Sequence, residues 1–177
     1  HIPGSFVAKK EVRDWPVIGL AGAATKAIFI ERRIGTLRQD QRQIVETLNS
    51  GRNVILFPEG TTSRDLLPFK GGLLCVEFSN VSRVRLEREI HVQPVTLCVT
   101  HINGRSVARE PELRDRYAWI GGQNLAQHFW QLVQTDSIDI AIAVHDPMNP
   151  KDYADRRVFA KAAEDKVRSG CRQPIRS

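Results

Sequence analysis

Between Val54 and Ser63 the chain runs from apolar residues straight into a set of groups that can bind or react: Val54-Ile-Leu-Phe-Pro-Glu-Gly-Thr-Thr-Ser63. Proline has no N–H for a strand ladder, so Pro58 ends the strand that Val54–Phe57 predicts. Gly60 lets backbone approach a ligand closely, and the hydroxyls of Thr61, Thr62 and Ser63 both donate and accept hydrogen bonds. Taken alone, Glu59-Gly60 is an ordinary turn. Behind a strand and ahead of three hydroxyls, it describes a binding edge on an α/β sheet. Cations stand nearby in sequence. Arg32 follows the predicted strand Ile28-Phe-Ile30, and Arg64 and Lys70 follow the hydroxyl run. An arginine fork suits a phosphate or carboxylate because it donates paired hydrogen bonds and stays charged.

The segment closely resembles the third signature block of the glycerolipid acyltransferases, F-P-E-G-T-R-S. Ala27-Ile-Phe-Ile-Glu-Arg-Arg33 resembles that family's second block and Val92-Gln-Pro-Val-Thr-Leu97 its fourth, in the family's order. The resemblance therefore reaches from about Phe6 to Leu97. Tyr117-Ala-Trp-Ile-Gly121, His128-Phe-Trp130 and the strand after Ser137 are similar to one subgroup, the hemolysin-like and lyso-ornithine-lipid acyltransferases.

This resemblance implies transfer of a fatty acyl group from acyl-CoA or acyl carrier protein, as co-substrate and with no cofactor or metal, to the hydroxyl of a lysolipid at the cytoplasmic face of a bacterial cell membrane. Such chemistry needs a base for the hydroxyl proton and a site that holds the acceptor. In the family the base is the histidine of a His-x4-Asp block. No histidine here has aspartate at the fifth position after it: His1, His91, His101, His128 and His145 are followed there by Phe6, Thr96, Ser106, Val133 and Pro150, and His145-Asp146 are adjacent. No catalytic residue is assigned. The expectation is one acyltransferase-type domain over residues 1–177 that lacks its N-terminal part and is inactive alone, with a non-catalytic lipid- or anion-binding module as the alternative.

The resemblance carries the acceptor pocket onto Arg32, Glu59, Gly60 and Thr61, with Thr62, Ser63, Arg64, Lys70 and Pro94 as accessory residues. Thr62 stands where the family usually has arginine, which removes a cation. Arg64 or Lys70 supplies it, or the acceptor has no glycerol phosphate. Since a carboxylate repels phosphate, Glu59 is expected to hold Arg32 or Arg33, or to accept from an acceptor hydroxyl. Pro94 is expected to shape the acyl groove.

Composition narrows the alternatives. At 177 residues one domain with a full core is expected. A net charge of +6 favours anionic partners such as acidic lipid surfaces or CoA phosphates. Nucleic acid is disfavoured by an aromatic content of 7% and the lack of a recognition motif. There is no Gly-x4-Gly-Lys-Ser/Thr or Gly-x-Gly-x-x-Gly loop, and Ser63 has no Gly-x-Ser-x-Gly elbow around it. Cys75, Cys98 and Cys171 are odd in number and far apart, so reduced, cytosol-facing thiols are expected. The apolar stretch Trp15–Ile30 is interrupted by Lys26 and falls short of the ~20 residues of a membrane span.

The elements that must position these groups follow from periodicity. Strands are predicted near Phe6 and over Ile28–Ile30, Val54–Phe57 (buried on both faces), Val92–Val99 and Ile138–Val144. Helices are predicted over Trp15–Thr25, Leu37–Asn49, Leu73–Phe78, Leu125–Val133 and Tyr153–Val167. Thr36 and Gln39 have capping-box spacing, Leu37, Ile44, Val45 and Leu48 share a face, and Ser50-Gly51 close that helix. Asn103-Gly104 marks a turn, and Arg105–Arg116 reads as irregular. The alternation predicts an α/β fold with a mixed, mostly parallel sheet flanked by helices, and with Arg32 and Glu59–Thr61 at one sheet edge. His128 is expected on a helix face. Trp15, Trp119 and Trp130 are expected in the core or at a membrane interface. Arg156, Arg157, Lys161, Lys166, Arg168 and Arg172 are expected on a solvated helix face that could touch anionic headgroups.

Overall fold

A computed structural model describes residues 4–14, 19, 22, 24–31, 36–63, 65–70, 74, 76, 85–119 and 124–171. The helices expected over Trp15–Thr25 and Leu73–Phe78 lie largely outside these residues. The chain forms two compact units, one of His1–Pro58, Lys70–His91 and Asn149–Ala160, the other of Glu59–Phe69, Val92–Met148 and Lys161–Ser177.

In the first unit, β1 (Gly4–Lys9) lies between β2 (Ile28–Ile30) and β3 (Asn53–Ile55). Both pairings are parallel, with Val7 opposite Ile28 and Ser5 opposite Val54. Parallel neighbours need a crossover, and α1 (Leu37–Asn49) lies between β2 and β3 in sequence. Its Ile44 and Val45 are buried with Val7, Ile28, Ile30 and Val76, and Leu48, Val54 and Leu56 pack at the margin. Leu37, at the start of the helix, is exposed. β3 is at the edge of this sheet among the described residues, and the expectation of burial on both faces is corrected: Val54 and Ile55 are half-buried, and Phe57 just beyond is 51% exposed.

The capping box is corrected as well. Thr36 has helical dihedrals, φ −88° and ψ −10°, and its side chain makes no cap hydrogen bond. A cap hydroxyl turns back to the first turn from extended dihedrals. The Thr36 hydroxyl instead donates to Asp40 Oδ2 at 3.4 Å. The C-terminal stop is as expected. Gly51 takes φ +84°, the Ser50 N–H donates to the Glu46 carbonyl, and the Gly51 N–H donates to that of Leu48.

The second unit is built on an antiparallel sheet in which β4 (Val95–Ile102) lies between β5 (Arg105–Ser106) and β6 (Ile138–Val144). Val95 faces Val144 and Cys98 faces Ala141, with a bulge between Val99 and His101. The α/β class is as predicted and its sheets are mixed overall. Parallel pairing is confined to the first sheet, because β4 and β6 run in opposite directions. Asn103 and Gly104 take φ +49° and +73°, the paired positive values of a tight hairpin turn. The stretch expected to be irregular contains β5, a 3-10 turn at Pro111–Leu113 and α2 (Arg114–Tyr117). Leu113 is buried with Ile102 and Val107, a spacing too short to register as periodicity.

On α3 (Leu125–Val133), His128 is 7% exposed, whereas Trp130 is 62% exposed. His128 lies on a helix face as expected, and is buried there; exposure removes the core reading of Trp130. The closing helix, α4 (Arg156–Gly170), is capped by Asp155, whose Oδ1 accepts the N–H groups of Arg157 and Val158. Its last turns, in the second unit, lie against β4. Thr96 is 1% exposed, and its hydroxyl donates to the Val167 carbonyl at 2.8 Å. His145 Nε2 is 2.8 Å from the same Thr96 Oγ1. The single hydroxyl proton goes to the carbonyl, so the imidazole Nε2–H is the donor to Thr96. A Cβ on Gly170 would sit 2.5 Å from Thr96 Oγ1, so only glycine fits this approach.

Cys98 and Cys171 are joined by a disulfide with Cα atoms 6.0 Å apart and a sequence separation of 73. This corrects the expectation of reduced thiols for that pair. The bond follows from the packing of α4 on β4, a long-range contact that cysteine spacing does not encode. Cys75 lies outside the described residues. No described helix is long and apolar enough to cross a membrane.

Candidate functional site

Residues 59–69 leave and return at a narrow neck, where the Lys70 N–H donates to the Pro58 carbonyl at 2.8 Å. A compact loop whose ends meet in this way is a frequent carrier of function. Gly60 takes φ +75°, a conformation that penalises side chains, near the start of the loop. The Glu59 carboxylate reaches across the loop, and its Oε2 accepts the backbone N–H of Leu67 at 2.8 Å. Thr61 is exposed. The Thr62 hydroxyl donates to the Trp119 carbonyl and the Ser63 hydroxyl to that of Asp65. Glu59, Gly60 and Thr61 are thus adjacent in one braced loop, with Thr62 and Ser63 serving its bracing.

Two further sets of contacts hold the loop, and both use residues that sequence reading did not select. Asp65 pairs with Arg114 Nη1 at 2.6 Å. Glu164 of α4 accepts the Phe69 N–H through Oε2 at 3.2 Å and receives Arg168 Nη2 on Oε1 at 3.1 Å. The same Arg168 nitrogen donates to the Leu66 carbonyl at 3.3 Å. This corrects the solvated-face reading for Arg168. Lys161 also has carboxylate partners, Asp165 at 2.5 Å and Glu164 at 3.5 Å. A signal for Glu164 was present: it continues the buried stripe of Phe159, Ala160 and Ala163, where a carboxylate needs partners. Asp65 and Arg114, 49 residues apart, carry no such signal.

Burial opposes ionisation of Glu164. The Phe69 N–H, the Arg168 guanidinium and the Lys161 ammonium outweigh it, and hold the carboxyl below its ordinary range.

Lys70 is exposed and gives the site its neck through its backbone. Pro94 is buried just before β4, where its carbonyl accepts the His145 N–H at 3.0 Å and no ladder needs its missing N–H. Arg32, Arg33, Arg64 and Arg172 lie outside the described residues. Among the described residues no cluster of His, Cys, Asp and Glu could hold a metal ion.

Over 96% of its length the chain matches 56% of the crystal structure of the 1-acyl-sn-glycerophosphate (LPA) acyltransferase PlsC from Thermotoga maritima, with a TM-score of 0.59 at 22% identity. That likeness defines the fold as the α/β type of that structure. The Acyltransferase family model matches residues 2–97, and the chain belongs to that family.

It is 32% identical over 168 residues to the lyso-ornithine lipid O-acyltransferase of Brucella abortus (strain 2308), covering 93% of this chain and 62% of that protein. It is 31% identical over 174 residues to the lyso-ornithine lipid O-acyltransferase of Rhodobacter capsulatus, covering 97% and 59%. It is 30% identical over 173 residues to the 1-acyl-sn-glycerol-3-phosphate acyltransferase of Neisseria gonorrhoeae, covering 94% and 60%. The chain therefore spans about three fifths of the length of these curated relatives.

Proposed function

We propose that the protein is an acyltransferase of membrane lipid synthesis. It moves a fatty acyl group from acyl-CoA or acyl carrier protein to the hydroxyl of a lysolipid, either lysophosphatidic acid or a lyso-ornithine lipid. Residues 1–177 are read as part of a single acyltransferase domain working at the cytoplasmic face of a membrane. The observation that carries the reading is the braced loop that presents Glu59, Gly60 and Thr61 together, within the span that matches the family. Relatives named for lyso-ornithine lipid and for 1-acyl-sn-glycerol-3-phosphate support a lysolipid acceptor.

In this reading Arg32 grips the anionic part of the acceptor, Gly60 brings backbone close to it, and Thr61 adds a neutral hydroxyl. Thr62 offers no charge and is engaged with Trp119. The acceptor hydroxyl attacks the thioester carbonyl, its proton passes to a base, and the thiol leaves. No His-x4-Asp pair occurs within residues 1–177. This favours a second reading of the chain by itself, as a module that binds lysolipid without turning it over. General-base catalysis is worth ~10²–10⁴-fold, so the isolated chain is expected to show no enzymatic transfer. Turnover of acyl-CoA with lysolipid at a relative's rate would refute that second reading.

Substitution of Arg32 tests the first. A hydrogen bond to a charged group contributes ~1.5–3 kcal/mol. In the whole protein Arg32→Ala should therefore lower acceptor kcat/KM about ten- to hundredfold. If phosphate is the group held, lysophosphatidic acid suffers this loss and an acceptor with an uncharged headgroup does not. Equal losses for both acceptors, or a loss confined to the acyl donor, would remove Arg32 from phosphate binding.

A further inference from the structure

We propose that Glu164 and Arg168 of α4 act as a positioning clamp for the loop that carries Glu59, Gly60 and Thr61. Neither residue lies within the family-matched span of 2–97. Glu164 is 8% exposed, and both of its oxygens are engaged: Oε2 by the Phe69 N–H, Oε1 by Arg168 and Lys161. A buried carboxylate is retained only when hydrogen bonds replace its water, and those to a guanidinium and a backbone N–H are among the strongest available.

Two features connect the clamp to the signature residues. It grips the Leu66 carbonyl and the Phe69 N–H. Between them is Leu67, whose N–H holds the Glu59 carboxylate. Pro68 has no N–H and a fixed φ, which stiffens the short path between the two grips. Shifting the 66–69 segment therefore moves the donor that orients Glu59. The clamp is itself anchored, because the end of α4 is fixed on β4 by the Thr96–Val167 hydrogen bond, the fit of Gly170 and the Cys98–Cys171 disulfide. Residues held on a rigid helix position a loop more firmly than the loop's own contacts can. The charged groups facing the clamp are Lys161, on the same helix and shared with Asp165, while Asp65 and Arg114 brace the loop separately.

The functional consequence rests on the reading of this loop as the acceptor site, so the test reads loop order and acceptor use separately. Amide hydrogen exchange at Leu66, Leu67 and Phe69 is compared in the unsubstituted chain, Glu164→Ala, Arg168→Gln and the exposed control Asp165→Ala. We expect exchange to rise about tenfold or more at Leu67 and Phe69 in Glu164→Ala and at Leu67 in Arg168→Gln, and to stay unchanged in the control. Glu164→Gln keeps an acceptor oxygen for Phe69 but not the charge for Arg168, and should fall between. In the whole protein the same Glu164→Ala should raise the KM for the lysolipid about tenfold and leave that of the acyl donor within about twofold.

Unchanged exchange at Leu67 and Phe69 in both Glu164→Ala and Arg168→Gln overturns the clamp. Raised exchange with an unchanged acceptor KM leaves the clamp standing and overturns the acceptor role of the loop. Should Glu164→Ala not fold, Arg168→Gln, which keeps the carboxylate–Phe69 bond, decides the same question.

Discussion

The Glu59 carboxylate accepts the backbone N–H of Leu67 at 2.8 Å, so the glutamate of the signature segment closes the loop it opens. This gives Glu59 an architectural task that needs an oxygen acceptor at the right reach. Glu59→Gln, which keeps one carbonyl oxygen, should retain most of the stability. Glu59→Ala should lose about 1.5–3 kcal/mol, the worth of a hydrogen bond to a charged group. Urea unfolding of the two variants checks this, and equal losses would show that charge rather than the Leu67 bond is what matters.

Gly60 holds φ +75° in the same loop. An L-residue pays ~1–2 kcal/mol to enter that region, so Gly60→Ala should destabilise by about that amount. The strain is local, and the expected signature is faster amide exchange over residues 59–69 with little change in the protection of β1 and β2. A stability equal to that of the unsubstituted chain would mean that the loop readily adopts another path.

The disulfide should be a large contributor to stability. Its sequence separation of 73 residues corresponds to about 4 kcal/mol of loop-closure entropy taken from the unfolded chain. Cys98→Ser and chemical reduction should lower the urea midpoint alike, and should loosen the last turns of α4 first. If reduction leaves the midpoint unmoved, the two sulfurs are not bonded in solution.

Glu164 sets an acid limit on loop order. Burial raises its pKa, but the Phe69 N–H, Arg168 and Lys161 prevail, so the folded value lies below the unfolded one. A depressed carboxyl contributes stability that is fully present above the unfolded pKa, near ~4.3. That contribution disappears as pH falls through the lower folded value. Exchange at Phe69, corrected for intrinsic rate, should thus be flat from neutrality down to the ordinary glutamate range and rise below it. Glu164→Gln should abolish the acid step.

The local elements were legible because short-range rules fix them. The spacing of Ile44, Val45 and Leu48 gave α1, Gly51 its end, and Asn103-Gly104 the hairpin, whereas β3 stops at Ile55, before Pro58 could end it. The family was legible because the blocks around Arg32, Glu59 and Pro94 occur in order within 2–97, the span that the family model matches. What tertiary structure decided is where distant backbone and side chains meet. Cys98 reaches Cys171 and Thr96 admits Gly170 only once α4 packs on β4. Glu164 and Arg168 look like any i, i+4 pair on a charged helix until the Leu66 carbonyl and Phe69 N–H are set against them. Sequence periodicity reports which face of an element is buried. The partner of a buried carboxylate is set by loops and register, over sequence separations such as the 95 from Phe69 to Glu164, where no periodic signal survives.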